Sequence, residues 1–224
     1  VKLVAQTLAS SVLGAAYFVA VLFWPAGTFD YWQAWVFLAV FIVTTLGPTF
    51  FLAVRHPDAL ARRMKAGPTA ETRPAQRLII TLTVVLVTAT FVLSALDHRF
   101  GWSSAPAWVV VVGNTLVALG LSGAQLVVVQ NHYAAATVRV EAGQPLVSTG
   151  LYGLVRHPMY TGTVVMMLGT PLALGSLWGL LGVAASAPVL VARILDEEKM
   201  LTAELAGYRE YRRQVRYRLV PGVW

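Results

Sequence analysis

Arginine, histidine and tyrosine stand close together in "RHPMY", Arg156 to Tyr160, and an acidic triplet, Asp196-Glu197-Glu198, follows Arg193 further along the chain. A guanidinium and an imidazole suit a carboxylate. The faces of Tyr152 and Tyr160 suit a cation or a flat heteroaromatic ring, and glutamates suit hydroxyl or amino groups. A ligand matching the whole set would carry a carboxylate, a positive charge, a purine and a ribose. Taken singly, these residues are ordinary. Arg156 and His157 serve equally well as anchors at a membrane interface, with the tyrosines as an aromatic belt. Arg-His-Pro also recurs at Arg55-His56-Pro57, where ordinary loop sequence follows it. What decides between the two readings is whether the fold brings the basic and acidic clusters together.

The elements that must do so are apolar. Of 224 residues, 57% are hydrophobic and 12% charged, about half the charge of a typical soluble domain, so lipid is the solvent for most of the chain. Uncharged runs cover Leu3 to Phe23, Tyr31 to Val54, Leu78 to Leu96 and Ala107 to Val129, each near the roughly 20 residues that cross a bilayer. The run from Met159 to Ala192 would make a helix of roughly 50 Å and must fold back on itself. Gly175-Ser176 with Gly179 is the favoured break, ahead of Gly169-Thr170-Pro171, because it leaves arms of similar length. Such a hairpin returns Arg193 and the acidic triplet to the boundary that Arg156 and His157 left. Gly47-Pro48 predicts a kink or break in the second helix, and the alternation around Val138 to Val140 hints at a short extended piece.

The first run is read as a retained membrane helix, since it is longer than a signal-peptide core and lacks a small-residue cleavage site. With alternate crossings, nearly all of the 17 Lys and Arg residues fall on one side. That side should be the cytoplasm and should hold the N-terminus, the Arg55–Arg77 loop, the Gly150 region and the C-terminal tail. The net charge of +7 is then a topology signal that gives no reason to propose nucleic acid. Helical spacing of Leu201, Leu205, Tyr208, Tyr211 and Val215 predicts an amphipathic tail helix, with both tyrosines as packing residues. Cysteine is absent, which excludes disulfides and Cys-based zinc sites. No Gly-x-Gly-x-x-Gly follows a strand, so a soluble dinucleotide fold is excluded too.

The fold class expected is an all-α integral membrane protein. It should have five to six transmembrane segments, the last two forming a helical hairpin followed by the amphipathic cytoplasmic helix. Residues 1–106 read as transmembrane scaffold with a basic loop, and 107–224 as the functional region. "VSTGLYGLVRHPMYTG", the apolar hairpin and "DEEKMLTAELAGYREYRRQVRYRLVPG" together resemble the C-terminal region of the isoprenylcysteine carboxyl methyltransferase family and its bacterial relatives. That family is similar in turn to phospholipid N-methyltransferases. The resemblance covers roughly Gly120 to Trp224, and the first hundred residues match only as membrane helices.

The resemblance implies an integral-membrane methyltransferase using S-adenosylmethionine, in a bacterial inner membrane, with a lipidic or prenylated small-molecule acceptor and no obligate protein partner. It implies that Arg156, His157, Pro158 and Tyr160 line the cofactor site, with Glu197 and Glu198 closing it. Tyr152 and Gln125 are flanking candidates, Gln125 serving equally well to bond a neighbouring helix. Arg193 would orient the reacting carboxylate, and with Glu198 it makes up the expected catalytic pair. An in-line transfer to a carboxylate needs no general base, so positioning in a dry pocket supplies the rate. An amine acceptor would need Glu197 or Glu198 as base. The alternatives are a phospholipid amine methyltransferase, a nicotinamide-dependent reductase of a sterol-like double bond, and a transporter or structural membrane protein.

Overall fold

The computed structural model describes residues 2–64, 66–134, 136–141 and 143–224, with the backbone alone for 2–8 and 11. Apolar runs in lipid must close their hydrogen bonds internally, and they do so as helices. In chain order these are α1 (Lys2–Ala26), α2 (Trp32–Arg55), the short α3 (Pro57–Met64), α4 (Pro74–Phe100), α5 (Ala107–Gln130), α6 (Pro158–Ala173), α7 (Gly179–Glu204) and α8 (Tyr208–Gln214). Proline opens α4 and α6, where its missing N–H costs nothing.

Among the described residues, α2, α4, α5 and α7 are long and apolar enough to cross a membrane, and the apolar stretch Val12–Ala26 of α1 is shorter. α6 has 16 residues, about 24 Å of helix, so it falls short of a bilayer core of about 30 Å. Length and composition thus mark these four helices as able to cross a membrane, and α1 and α6 run in the same bundle.

The Met159–Ala192 run is a hairpin that turns over Leu174–Trp178. Gly175 adopts φ +71° there, a conformation that side-chain-bearing residues avoid. A buried polar set fastens this turn. The Tyr31 hydroxyl donates to the Leu174 carbonyl at 2.8 Å. The fully buried Asp97 carboxylate accepts the Ser176 hydroxyl at 2.5 Å and the Ser103 hydroxyl at 2.6 Å.

Three sequence expectations change. α2 runs unbroken through Gly47-Pro48, because one missing hydrogen bond costs less than opening the backbone to lipid. Among the described residues there is no strand around Val138, whose N–H instead points to the Glu71 carboxylate at 3.3 Å. The single tail helix is divided: α7 extends to Glu204, the chain turns at Gly207 (φ +80°), and α8 begins at Tyr208.

α5 packs along α6 with their backbones nearly touching. A Cβ on Gly120 would lie 2.5 Å from the Gly162 carbonyl, and one on Gly169 would lie 2.6 Å from the Gly113 carbonyl. Lipid offers little drive for helices to associate, so close van der Waals approach of this kind holds them together. α4 bridges α1 and α7, and the aromatic core of Phe18, Phe37 and Phe91 fills the space between α1, α2 and α4. The loops at residues 56–73 and 131–157 and the C-terminal tail meet at one end of the bundle. The α1–α2, α4–α5 and α6–α7 turns meet at the other.

Candidate cofactor site

The polar end is organised around one carboxylate. Glu198, buried on α7, accepts Arg156 Nε at 2.6 Å and Arg218 Nε at 3.0 Å, with His157 Nε2 at 3.3 Å. A buried anion is tolerated only when paired and hydrogen-bonded, and these partners come from two segments, the residues leading into α6 and the C-terminal tail. The Arg156 guanidinium also donates to the Val215 and Arg216 carbonyls at 2.8 and 2.6 Å. Backbone bonds from Arg156 N to the Tyr217 carbonyl and from His157 N to the Arg218 carbonyl, both 2.9 Å, lay the tail alongside the start of α6.

A second network runs beside the first. The Tyr160 hydroxyl donates to Glu197 Oε2 at 2.6 Å and receives Arg193 Nε at 2.8 Å. The remaining Arg193 donors reach the Gln76 side-chain carbonyl at 3.0 Å, Glu71 Oε1 at 3.4 Å and the Ala136 carbonyl at 2.9 Å. Asp196 pairs with Arg73 at 2.7 Å and also accepts from Gln76. The loop before α4 is therefore wired into α7.

Between these networks and the 131–149 segment lies a cavity of about 110 Å³ that opens to solvent. Tyr152, Arg156, His157, Pro158, Tyr160 and Glu197 all lie on its wall. The His157 and Tyr160 rings stack there, 5.6 Å apart. Glu198 and Arg193 stand behind the wall, each held by protein partners. Gln125 lies away from it on α5, its Oε1 buried without a hydrogen-bond partner among the described residues.

Several wall residues carried no signal in the sequence. Thr137 and Tyr208 are both buried, and each hydroxyl lacks a protein partner among the described residues. Burial, reinforced by Glu198 and Glu197, pushes the Tyr208 phenol well up from its ordinary value, so it stays a neutral donor at any physiological pH. The helical spacing did mark Tyr208 and Tyr211 as inward-facing. Tyr211 packs as expected, donating to the Tyr152 carbonyl at 2.8 Å, and both tyrosines also line the cavity. Asn131 Nδ2 donates to the Tyr152 hydroxyl at 3.1 Å and fixes that ring at the mouth.

Residues 108–208 match the family described as phospholipid methyltransferase. The chain is also 33% identical over 91 residues to the delta(14)-sterol reductase of Mus musculus, a stretch covering 39% of this chain and 22% of the reductase. It thus spans about a fifth of that relative's length. Among solved structures it is similar to the eukaryotic intramembrane Ras methyltransferase, isoprenylcysteine carboxyl methyltransferase. That similarity covers 96% of this chain and 86% of that one, at 16% identity and a TM-score of 0.47. Residues 108–208, the stretch that matches the phospholipid methyltransferase family, supply most of the cavity wall and sit in a bundle of apolar helices.

Proposed function

We propose that the chain is an S-adenosylmethionine-dependent membrane methyltransferase that methylates a carboxylate oxygen on a lipidic or prenyl-linked acceptor, with its polar end in the cytoplasm. The observation that carries this reading is the cavity wall itself. It combines a cation, an imidazole, stacked aromatics and a carboxylate with two buried hydroxyls, on Thr137 and Tyr208, that find no partner among the described residues. An unpaired buried hydroxyl costs about 1–3 kcal/mol, a cost that a polar ligand in the cavity would remove. The donor set suits S-adenosylmethionine: Arg156 and His157 for its carboxylate, Tyr160 and Tyr208 for its cationic and aromatic parts, and Glu197 for ribose hydroxyls or the amino group.

When bound, S-adenosylmethionine supplies an electrophilic methyl group on a sulfonium. The chain's own residues supply position and dryness. Tyr152 and Tyr211 add aromatic surface to the wall. The Arg193–Tyr160–Glu197 chain fixes one wall, and Glu198 fixes the other through Arg156 and the tail. Holding two reactants in line accounts for up to about 7–11 kcal/mol of barrier lowering. A carboxylate acceptor is favoured over an amine because it needs no general base, and the two glutamates beside the cavity already have partners. Glu198 is occupied by Arg156, His157 and Arg218, and Glu197 already accepts the Tyr160 hydroxyl. In this reading Arg193 acts through Tyr160, since its guanidinium is committed to Tyr160, Gln76, Glu71 and Ala136.

The identity shared with a sterol reductase supports a second reading, in which the same cavity holds a reduced nicotinamide. Calorimetry of the purified protein with S-adenosylhomocysteine and, separately, NADPH separates the two. Saturable S-adenosylhomocysteine binding that weakens about tenfold in Tyr208→Phe, as loss of one hydrogen bond to a charged ligand predicts, is the expected result. Binding of NADPH alone would overturn it.

A further inference from the structure

The cations at the polar end are paired with acids one after another. Arg62 meets Glu141 at 3.1 Å, Arg73 meets Asp196 at 2.7 Å, Arg193 meets Glu71 at 3.4 Å, and Arg156 and Arg218 share Glu198. Exposed cations of this end, such as Arg55, Arg77 and Lys199, have no such partner and can be satisfied by water. Arg63 is half-buried, and no carboxylate lies within 4 Å of it among the described residues. Among those residues its guanidinium meets the Ala134 carbonyl at 3.5 Å and the Met159 sulfur at 3.6 Å, both weak contacts for so strong a donor.

Ala134 and Met159 are themselves cavity-wall residues, so this unpaired cation stands directly behind the site. Its setting is apolar. Met159 packs with Leu52, Leu60 and Val128 where α2, α3 and α5 converge. At the same ends of α2 and α5, Val54 and Leu126 remain exposed, and the His56 and His132 rings lie 4.2 Å apart. An under-paired cation at such a boundary is costly and calls for an anion.

We propose that Arg63 is the recognition residue of a subsite for an anionic amphiphile, binding a carboxylate or phosphate head through its fork of N–H groups while the tail lies along α2 and α5. This rests on the methyltransferase reading, and it gives the acceptor a second anchoring point beside the cofactor cavity. A phosphate or carboxylate suits the bidentate guanidinium, whereas a neutral or cationic head does not.

The test uses the full chain in phosphatidylcholine nanodiscs, titrated with laurate, dodecyl phosphate and, as a neutral control, dodecanol. Saturable binding of laurate or dodecyl phosphate, weakened about ten- to a hundredfold in Arg63→Gln and by a smaller factor in Arg63→Lys, which keeps the charge but not the fork, is expected. S-adenosylhomocysteine affinity should be the same in all three proteins, which reports that the fold and cavity are intact. Undiminished anion binding by Arg63→Gln, or dodecanol binding as tightly as laurate, overturns the subsite. Repeating the titration in phosphatidylglycerol nanodiscs separates two sources of the same chemistry. Lost laurate binding assigns the site to a bilayer headgroup, and retained binding assigns it to a diffusible amphiphile. Failure of the wild type to bind S-adenosylhomocysteine would remove the methyltransferase reading while leaving laurate binding to be read independently.

Discussion

At the scale of single residues, neighbours of similar chemistry do different work. Glu197 faces the cavity, whereas Glu198 is a buried hub joining Arg156, His157 and Arg218. Glu198→Ala leaves two guanidiniums without their carboxylate and should cost about 3–5 kcal/mol, seen as a large fall in thermal midpoint in detergent. Glu197→Gln, which keeps an acceptor for Tyr160, should hold the midpoint and lose ligand affinity. Equal midpoints for the two variants would show that Glu198 is not the hub. Glu71 offers a subtler case, since it reaches the wall through Arg193 and Tyr160, and separately through the Val138 N–H, whose acceptor a glutamine would keep. Glu71→Gln and Tyr160→Phe should each weaken S-adenosylhomocysteine binding, with the double variant little worse than either. A cycle of this kind isolates coupling, and additive losses would mean that Glu71 acts only on stability. The Arg156–Tyr160 and Glu197–Glu198 groups were legible in the sequence because motif and hairpin length both pointed to them. Glu71 was not legible, because its partner Arg193 lies 122 positions away and nothing in a basic loop marks one acid as buried. Thr137 and the Tyr208 hydroxyl were hidden for a related reason: spacing shows that a side chain faces inward but not whether its polar atom finds a partner.

Among the elements, the hairpin was the most legible feature, because a helix of roughly 50 Å has no place in an ordinary bilayer and glycine marked the turn. The division of the tail was not, since Leu201 to Val215 keeps helical spacing across the break at Gly207 and apolar periodicity cannot see a backbone reversal. The α5–α6 contact was also silent, because glycine in a membrane helix can mark either packing or nothing. The structure separates these outcomes on one helix. A Cβ at Gly120 would lie 2.5 Å from the backbone of α6, while at Gly123 nothing stands within 4 Å. Gly120→Ala should therefore force the helices apart, costing about 1–3 kcal/mol and loosening Pro158 and Tyr160 at the α6 end that lines the cavity. Gly123→Ala should be neutral or stabilising by up to about 1 kcal/mol. Thermal unfolding of the pair in the same detergent checks this, and similar losses in both would remove the α5–α6 packing argument.

Across the whole molecule, the two ends of the bundle differ in the kind of polar structure they hold. One end concentrates ion pairs and the cavity. The other holds, among the described residues, one buried carboxylate, Asp97, which accepts from the Ser103 and Ser176 hydroxyls and the Ser103 and Trp178 N–H groups. The asymmetry follows the distribution of Lys and Arg, and because excess positive charge favours the cytoplasmic face the proposed orientation puts the cavity where a soluble cofactor would be available. A lipidic acceptor would reach the same cavity from the side, between α2 and α5 near Arg63. The orientation has a direct test because the chain contains no cysteine, so each introduced thiol reports alone. Ser104 is exposed between α4 and α5, and Ser148 is exposed just before the turn that leads into α6. In intact cells a membrane-impermeant maleimide should label Ser104→Cys at once and Ser148→Cys only after permeabilisation. The reverse pattern would put the cavity outside the cytoplasm, away from the cofactor supply. Labelling of both in intact cells would mean that the hairpin and the loop before it do not stay on one side of the membrane.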